Sequence, residues 1–480
     1  MGARIHERRG TLNVLWILCD ELRTDALGCY GGAPVPVRTP HIDALAGRGV
    51  LFERCYANSP VCVPARVSMH TGLLAEATGV YHNEAYAPGY PMEPVVTFPE
   101  LFARAGWATA DFGKEHVPRV LRPWQVQDPS GSLMPEVFWA VPDVSVLDLV
   151  RSPTGGVVAG RFPATVRHPG TAVVDNVLAW IATAPQPFLV RASFLQPHAP
   201  VVPPEPWSSC YDDAPWPDEV RVDPGACAFE RRFGEICGAA AMPARDLVRA
   251  QSAYHGTVAW IDSEIGRLLA GLDALGVADR TAIVFTADHG HLLGEQGAIG
   301  KHTHAPAAQR IPLVVVHPDL APARRSDLVQ QIDLPRTMCA LAGVEVDVRI
   351  GGHSVFATRD AEPTVFSTIG YGEPQSHAFP NLGVGRWFGD RGWPRRSCVR
   401  RGRWRLDRNV RVDGAPASGD DVDAFLADSV GDPDEVVNRI DDPAVADVAR
   451  ELAAALDALA ASAVETPAET VYGTALPGTG

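Results

Sequence analysis

The sequence predicts an α/β protein built on one large, mainly parallel sheet flanked by helices, with a smaller α+β subdomain at its C-terminal end. Two observations carry this expectation. Five short runs rich in β-branched residues are continuously apolar rather than alternating, the pattern of strands buried on both faces. Segments of helical periodicity separate them, and strands that alternate with helices pair in parallel. With 480 residues, 46% of them hydrophobic, the chain can bury a sizeable core, which we expect over residues 1–385.

Taken in order, the first run is LNVLWIL at 12–18. A helix follows, signalled by Thr39 as N-cap, Pro40 in its first turn and Gly47 or Gly49 near its end. WATADF at 107–112 is the second run, and FLVRASF at 188–194 the third. Before the third run comes a helix over 171–184, where Val173, Val174, Val177, Leu178 and Ile181 share a face. Another helix spans roughly 245–275. TAIVFT at 281–286 and IPLVVV at 311–316 complete the set. The segments 118–170 and 199–240 are rich in Pro, Gly and Trp without steady periodicity, and read as long ordered loops of the kind that carry function. After residue 385 the pattern changes to short segments such as CVRRGRWRL at 398–406, then an amphipathic helix near 442–463. This predicts a subdomain over 386–465 and a polar tail over 466–480.

Composition narrows the function. Lys and Arg total 42 against 57 Asp and Glu, and a net charge of −15 disfavours nucleic acid and acidic membranes as partners. No window approaches the run of about 20 apolar residues that a membrane span needs. The opening MGARIHERRG is charged, and the apolar run after it is too short for a secretory leader, so the expected location is cytoplasmic. Nine cysteines, an odd number without CxxC pairs, suit a reducing compartment and argue against a disulfide framework or a zinc ribbon.

Ligands of open α/β sheets bind beyond the carboxyl ends of the strands, and those ends are unusually polar here. Asp20 and Glu21 follow the first run, Lys114 and His116 the second, in GKEH. His198 follows the third in QPHAP; Asp288 and His289 follow the fourth in ADHG, with Lys301 and His302 beyond in GKHTH. Any one of these alone reads as a helix cap or a solvated side chain. Four successive strand ends delivering them to one rim read as a site. Asp20, Glu21, Asp288 and His289 offer three carboxylates and an imidazole, a set suited to a hard divalent cation such as Ca²⁺, with Mg²⁺ or Mn²⁺ as alternatives. Lys114, Lys301, Arg66, His116 and His198 supply donors for a small anion, with histidine handling protons.

The stretch NSPVCVPARVSMHTG at 58–72 fits this rim. Pro64 suits the first turn of a helix, which leaves Cys62 just ahead of an N-terminus whose free N–H groups favour anions and activated nucleophiles. Arg66 falls about one turn later. A cysteine-phosphatase loop would need its arginine six positions after the cysteine, where this chain has Ser68.

CVPAR followed by MHTG resembles the sulfatase signature, Cys-x-Pro-Ser/Ala-Arg and then Thr-Gly. NVLWILCDELRTDALGCYG, TPHIDALAGRGVLFERCYANSPVC, GKEH, QPHAP, TADHGHLLGEQGAIGKH, RIPLVVV and the acidic segment at 423–443 are similar to that family in the same order. The resemblance implies an alkaline-phosphatase-like fold and hydrolysis of a sulfate monoester of a small alcohol or phenol. It also implies that a formylglycine-generating enzyme converts Cys62 to formylglycine. One hydroxyl of the hydrated aldehyde, polarised by the metal, would attack sulfur; the alcohol would leave, protonated from the His198 and Lys301 side; the second hydroxyl would expel sulfate with His116 as base. Arg66 and Lys114 would orient the diol, Lys114, Lys301 and His198 would hold the sulfate, and Asn83 in GVYHN and His302 would touch substrate. Two positions depart from the common pattern: Glu21 stands where many relatives have a second aspartate, and His289 where asparagine is common. The rival readings are a phosphonate monoester or phosphodiester hydrolase of the same superfamily and a non-catalytic anion binder. The lysine and histidine of GKEH resemble sulfatases more than the former.

Overall fold

The first apolar run forms the strand Asn13–Asp20 (β1), all eight residues of which are buried. Continuous hydrophobicity works as read: both faces of β1 are covered, so no position can be polar without a partner. The computed structural model describes residues 12–32, 34–86, 90–121, 124–220, 225–358, 362–379 and 384–465. The opening MGARIHERRG and the tail over 466–480 lie outside the described residues.

The main sheet has nine strands. In chain order they are β1, Val50–Tyr56 (β2), Ala108–Gly113 (β3), Val126–Asp128 (β4), Phe188–Pro197 (β5), Thr281–Ala287 (β6), Arg310–Ile311 (β7), Leu313–Val316 (β8) and Ala323–Gln330 (β9). Their spatial order is β7-β2-β8-β6-β1-β5-β3-β4, with β9 also paired to β2. The block β6-β1-β5-β3-β4 is parallel throughout. The run at 311–316 differs from expectation, because β8 lies antiparallel to both β6 and β2. The sheet is therefore mixed at one side, although its centre is the parallel core that the apolar runs predict.

Helices cover the sheet as their patterns require. Pro40–Gly47 (α1) starts after Thr39, but its first N–H groups are held from elsewhere: the Asp262 carboxylate accepts from His41 N at 3.2 Å and Ile42 N at 2.8 Å. Thr39 instead accepts from Gly28 N at 2.9 Å and donates to Asp43 at 3.1 Å. Ala172–Ile181 buries Val173, Val174, Val177 and Ile181, each worth about 2 kcal/mol in apolar burial; Leu178 is half-buried on the rim of the same face. Ala244–Ala274 runs 31 residues along the sheet. The segment 199–240 is not all loop, since Ala228–Cys237 is a helix burying Phe229, Phe233 and Cys237 at i, i+4 and i+8.

The C-terminal sheet is antiparallel, in the order Thr364–Ile369 (β10), Arg395–Arg401 (β11), Trp404–Val412 (β12), Ala415–Pro416 (β13), with Phe425–Asp428 (β14) paired to β12. Its first strand comes from ahead of residue 386. Ala446–Ala461 packs on it through Leu452 and Leu456. Among the described residues no helix is long and apolar enough to cross a membrane.

Candidate active site

Because β6, β1, β5 and β3 are adjacent and parallel, their carboxyl ends form one edge, and the polar residues read after each run meet there. Facing that edge is the helix Cys62–Thr71 (α2), every residue of which is buried. It ends at Gly72, whose φ of 72° is left-handed and whose missing side chain lets the Gly351 carbonyl approach to 2.5 Å of where a Cβ would stand. A side chain there would push α2, and Cys62 with it, out of place.

Cys62 is the first residue of α2, with Val61 as N-cap. Around its Sγ stand Lys301 Nζ at 2.9 Å, His289 Nε2 at 3.3 Å, Asp20 Oδ1 at 3.6 Å and Lys114 Nζ at 3.8 Å. His116 completes the ring with a hydrogen bond to the same sulfur. Burial alone would push this thiol up, yet the positive charges of Lys114, Lys301 and His289 outweigh it and hold Cys62 well below the ordinary thiol range. The five positions Asp20, Lys114, His116, His289 and Lys301 thus converge on one atom, the sulfur of Cys62.

Arg66 does not touch that atom. Its guanidinium is fully buried and spans two carboxylates, donating from Nη2 to Asp20 at 2.9 Å and from Nε to Asp288 at 2.9 Å, while Nη1 reaches the Lys114 carbonyl at 2.5 Å and Ser193 Oγ at 3.1 Å. A planar fork suits such a bridge. Its link to position 62 runs through Asp20, whose other oxygen lies 3.6 Å from the sulfur.

Ligand atoms of Asp20, Cys62, Asp288 and His289 lie within 4.8 Å of one another, as do those of Asp20, Glu21, Cys62 and His198. The group with Asp288 holds three of the four expected metal ligands, Asp20, Asp288 and His289, whereas Glu21 falls in the other group, which shares only Asp20 and Cys62 with it. Buried carboxylates beside one imidazole suit a hard cation. Asp20 is held low by Lys114, His198 and Arg66 against its burial and the neighbouring Cys62, whereas burial and the Asp20 charge push Asp288 up. Glu21 has three partners: it accepts from Lys301, lies 3.2 Å from His198 Nε2 and 2.5 Å from His291 Nδ1.

His198 also has its Nδ1 at 2.5 Å from the Ala199 carbonyl, which aims Nε2 at the site. The Asn83 amide oxygen accepts from Val63 N at 3.0 Å, so it tethers the start of α2. His302 stacks on His82, with ring centroids 5.1 Å apart. Three site residues, Glu21 (φ 64°), His116 (φ 51°) and His302 (φ 78°), hold left-handed backbone that side chains other than glycine rarely adopt.

Sequence reasoning missed several contributors. His291 follows His289 by two in ADHGH and could have been found by extending that motif. Ser193, which donates to the Lys114 carbonyl at 2.5 Å, sits inside an apolar strand and gives no signal. Tyr254, donating to the Glu21 carbonyl at 2.6 Å, comes from the middle of a long helix.

The sequence profile described as Sulfatase matches residues 12–344. Human iduronate 2-sulfatase is 28% identical over 395 residues, covering 70% of each chain. An arylsulfatase of Clostridium perfringens is 24% identical over 72% of this chain and 77% of its own. Among solved structures, the phosphonate monoester hydrolase of Agrobacterium radiobacter superposes with a TM-score of 0.72 at 22% identity, covering 94% of this chain and 95% of its own, which establishes a shared fold. The profile match spans both the signature helix and the strand ends that converge on Cys62. This chain belongs to the sulfatase family, sulfuric ester hydrolases of alkaline-phosphatase-like fold.

Proposed function

We propose that the chain hydrolyses a sulfate monoester of a small organic alcohol or phenol to the free alcohol and inorganic sulfate, with position 62 as the nucleophile. The observation that carries this reading is the crowd of cationic and imidazole groups around a single buried sulfur at a helix N-terminus: Lys301, Lys114, His289 and His116. Conversion of Cys62 to formylglycine, by a formylglycine-generating enzyme, would supply a hydrated aldehyde in place of the thiol. A divalent cation, Ca²⁺ by the hardness of the donors with Mg²⁺ or Mn²⁺ as alternatives, would be held by Asp20, Glu21, Asp288 and His289 and would supply charge that offsets the carboxylates beside an anionic substrate.

The remaining roles belong to the chain's own side chains. Lys114 and Lys301 flank position 62 and would hold the sulfate oxygens, stabilising the charge that develops as the ester S–O bond breaks. His198, aimed by the Ala199 carbonyl, would give its proton to the departing alcohol oxygen. His116, which burial and Lys114 push down to about 4, is neutral at working pH and suited to take a proton from position 62. Asn83 holds the start of α2, and His302, the residue after Lys301, stacks on His82 and would touch substrate from there. We place the protein in the cytoplasm, a reading supported by nine cysteines all in the free form.

Mass spectrometry of the Cys62 peptide, from protein expressed with a formylglycine-generating enzyme, tests the nucleophile; a thiol that persists would favour the non-catalytic anion binder. Turnover of a panel of aryl sulfates, phosphonate monoesters and phosphodiesters tests the reaction. Dominant phosphonate turnover would reassign the chain to the phosphonate and phosphodiester hydrolases.

A further inference from the structure

We propose that Tyr254 is a positioning residue for the divalent cation: its hydroxyl, and the His291 ring it stacks on, fix Glu21 for cation binding. The assignment rests on the metal-assisted reading above and adds a residue from the middle of a helix that lies outside every strand end.

The other three expected ligands are oriented by groups at hand. Arg66 bridges Asp20 and Asp288, and the Gly290 carbonyl lies 3.0 Å from His289 Nδ1. Glu21 is different. It carries one more rotatable bond than the aspartate common at this position, so more freedom must be removed to hold its carboxylate still. The pairing of β1 with β5 shifts register between Cys19 and Asp20, and at Glu21 the backbone is left-handed, φ 64°, a conformation that persists only where the surroundings impose it.

Tyr254 supplies that constraint. Every residue of its helix from Ala250 to Asp262 is buried, and a phenol in such a setting needs a partner for its hydroxyl. Tyr254 Oη donates to the Glu21 carbonyl at 2.6 Å and accepts from Arg23 N at 3.0 Å, so one oxygen pins both ends of the turn that follows β1. The Tyr254 ring lies nearly parallel to that of His291, at 11° with centroids 5.3 Å apart. His291 places Nδ1 at 2.5 Å from Glu21 Oε2, and because a carboxylate can only accept, Nδ1 carries the proton of this bond. The backbone of His291 is itself tied down: its N–H donates to the Ala307 carbonyl at 2.9 Å and its carbonyl accepts from Arg23 Nη1 at 3.1 Å. With Oε2 committed to His291, Oε1 is the oxygen that faces Lys301 and His198, and a ligand atom of Glu21 lies within 4.8 Å of one from Asp20. A single side chain therefore holds the main chain of Glu21 by a hydrogen bond and its carboxylate through a stacked ring. Loss of such a partner behind a metal ligand typically weakens metal binding by about 10- to 100-fold.

The test is calorimetric titration of Ca²⁺, Mg²⁺ and Mn²⁺, each alone, into wild type and three variants whose native fold is checked by near-UV circular dichroism. Tyr254→Phe keeps the ring and loses the hydroxyl; His291→Phe keeps a ring for Tyr254 to stack on and loses the donor to Glu21. Tyr30→Phe is the control, since its hydroxyl also bridges backbone groups, accepting from Leu313 N at 2.7 Å and donating to the Phe52 carbonyl at 3.1 Å, but does so between β8 and β2. For the cation that wild type binds most tightly, Kd should rise by about 10- to 100-fold in Tyr254→Phe and in His291→Phe. It should stay within about twofold in Tyr30→Phe, as expected of a site without shared partners. In the matured enzyme, saturating cation should return the kcat of Tyr254→Phe toward the wild-type value, a rescue that a purely structural role would not permit. If only one of the two site variants keeps the native fold, its Kd decides. An unchanged Kd, an equal rise in Tyr30→Phe, or a kcat that saturating cation does not restore overturns the assignment and leaves the hydrolase reading standing. Binding of none of the three cations by wild type overturns the metal reading and this assignment with it, and aryl sulfate turnover by wild type then shows separately whether the hydrolase reading survives.

Discussion

Glu230 makes stability depend on pH with a predictable sign and size. It lies in the helix Ala228–Cys237, accepts from Gln296 Nε2 at 2.9 Å and Cys227 N at 3.3 Å, and has Arg405 only at 3.9 Å. Burial dominates and pushes its carboxyl from an ordinary 4.5 up to about 7, with Asp407 adding to the rise and Arg405 opposing it. Between those two values the folded chain keeps a proton that the unfolded chain releases, so the unfolded state binds fewer protons and stability falls as pH rises. The contribution is complete below about 4.5 and gone above about 7. Linkage over pH 5.5 to 8.5 gives a loss of about 2 kcal/mol from this one group. Glu230→Gln keeps an oxygen for the Cys227 N–H and cannot ionise. Urea unfolding of wild type and variant at both pH values isolates the effect: the variant should lack about 2 kcal/mol of the pH-dependent loss seen in wild type. Parallel pH dependence in the two proteins would show that Glu230 is already ionised at pH 5.5, and the burial argument would fall.

Further outcomes follow from the same structure. Lys301→Ala or His198→Ala should lower kcat by roughly 10² to 10³, the loss of one transition-state donor, in steady-state sulfate release; unchanged turnover removes that residue from the site. Arg66→Ala leaves Asp20 and Asp288 without their shared guanidinium and should cost about 3–5 kcal/mol in urea unfolding; a change below about 1 kcal/mol would mean the bridge holds nothing together. Added divalent cation should stabilise wild type by about 2.7 kcal/mol at a hundredfold excess over its Kd, and Asp288→Asn should blunt that response in a thermal melt. Glu435→Ala removes the carboxylate shared by Arg400 and Arg405, leaving Arg405 with Asp407; both arginines donate to the His304 carbonyl in the loop carrying Lys301. It should lower both Tm and kcat, and a fall in Tm alone would show that the clamp does not reach Lys301.

Much of the site was legible because strand-end residues inherit their positions from the sheet. Once β6, β1, β5 and β3 run parallel side by side, Asp288, Asp20, His198 and Lys114 must share an edge. Pairing direction at the flank was not legible, since the apolar run of β8 looks the same whichever way it lies. β2 was missed because its sequence VLFERCY carries two charged residues in mid-strand, and β9, with ARRSDLVQ, carries three. The helix at 228–237 is hidden by its length, ten residues within an otherwise aperiodic segment, although Phe229, Phe233 and Cys237 alone mark its face. Side-chain partnerships were harder still. That Arg66 serves two carboxylates rather than position 62, and that Asn83 spends its carbonyl on α2, depends on angles no spacing encodes.

The left-handed backbone at Glu21, His116 and His302 bears on any attempt to harden this protein. Glycine or asparagine would sit at those three positions with less steric strain, by an amount on the order of 1 kcal/mol each. A library sorted only for survival on heating is therefore drawn toward substitution at His116 and His302, whereas Glu21 is also held by Lys301, His198 and His291, and any winner there has to be checked for turnover. Those three codons should be held fixed in such libraries, with sorting confined to sites where resilience and turnover do not compete.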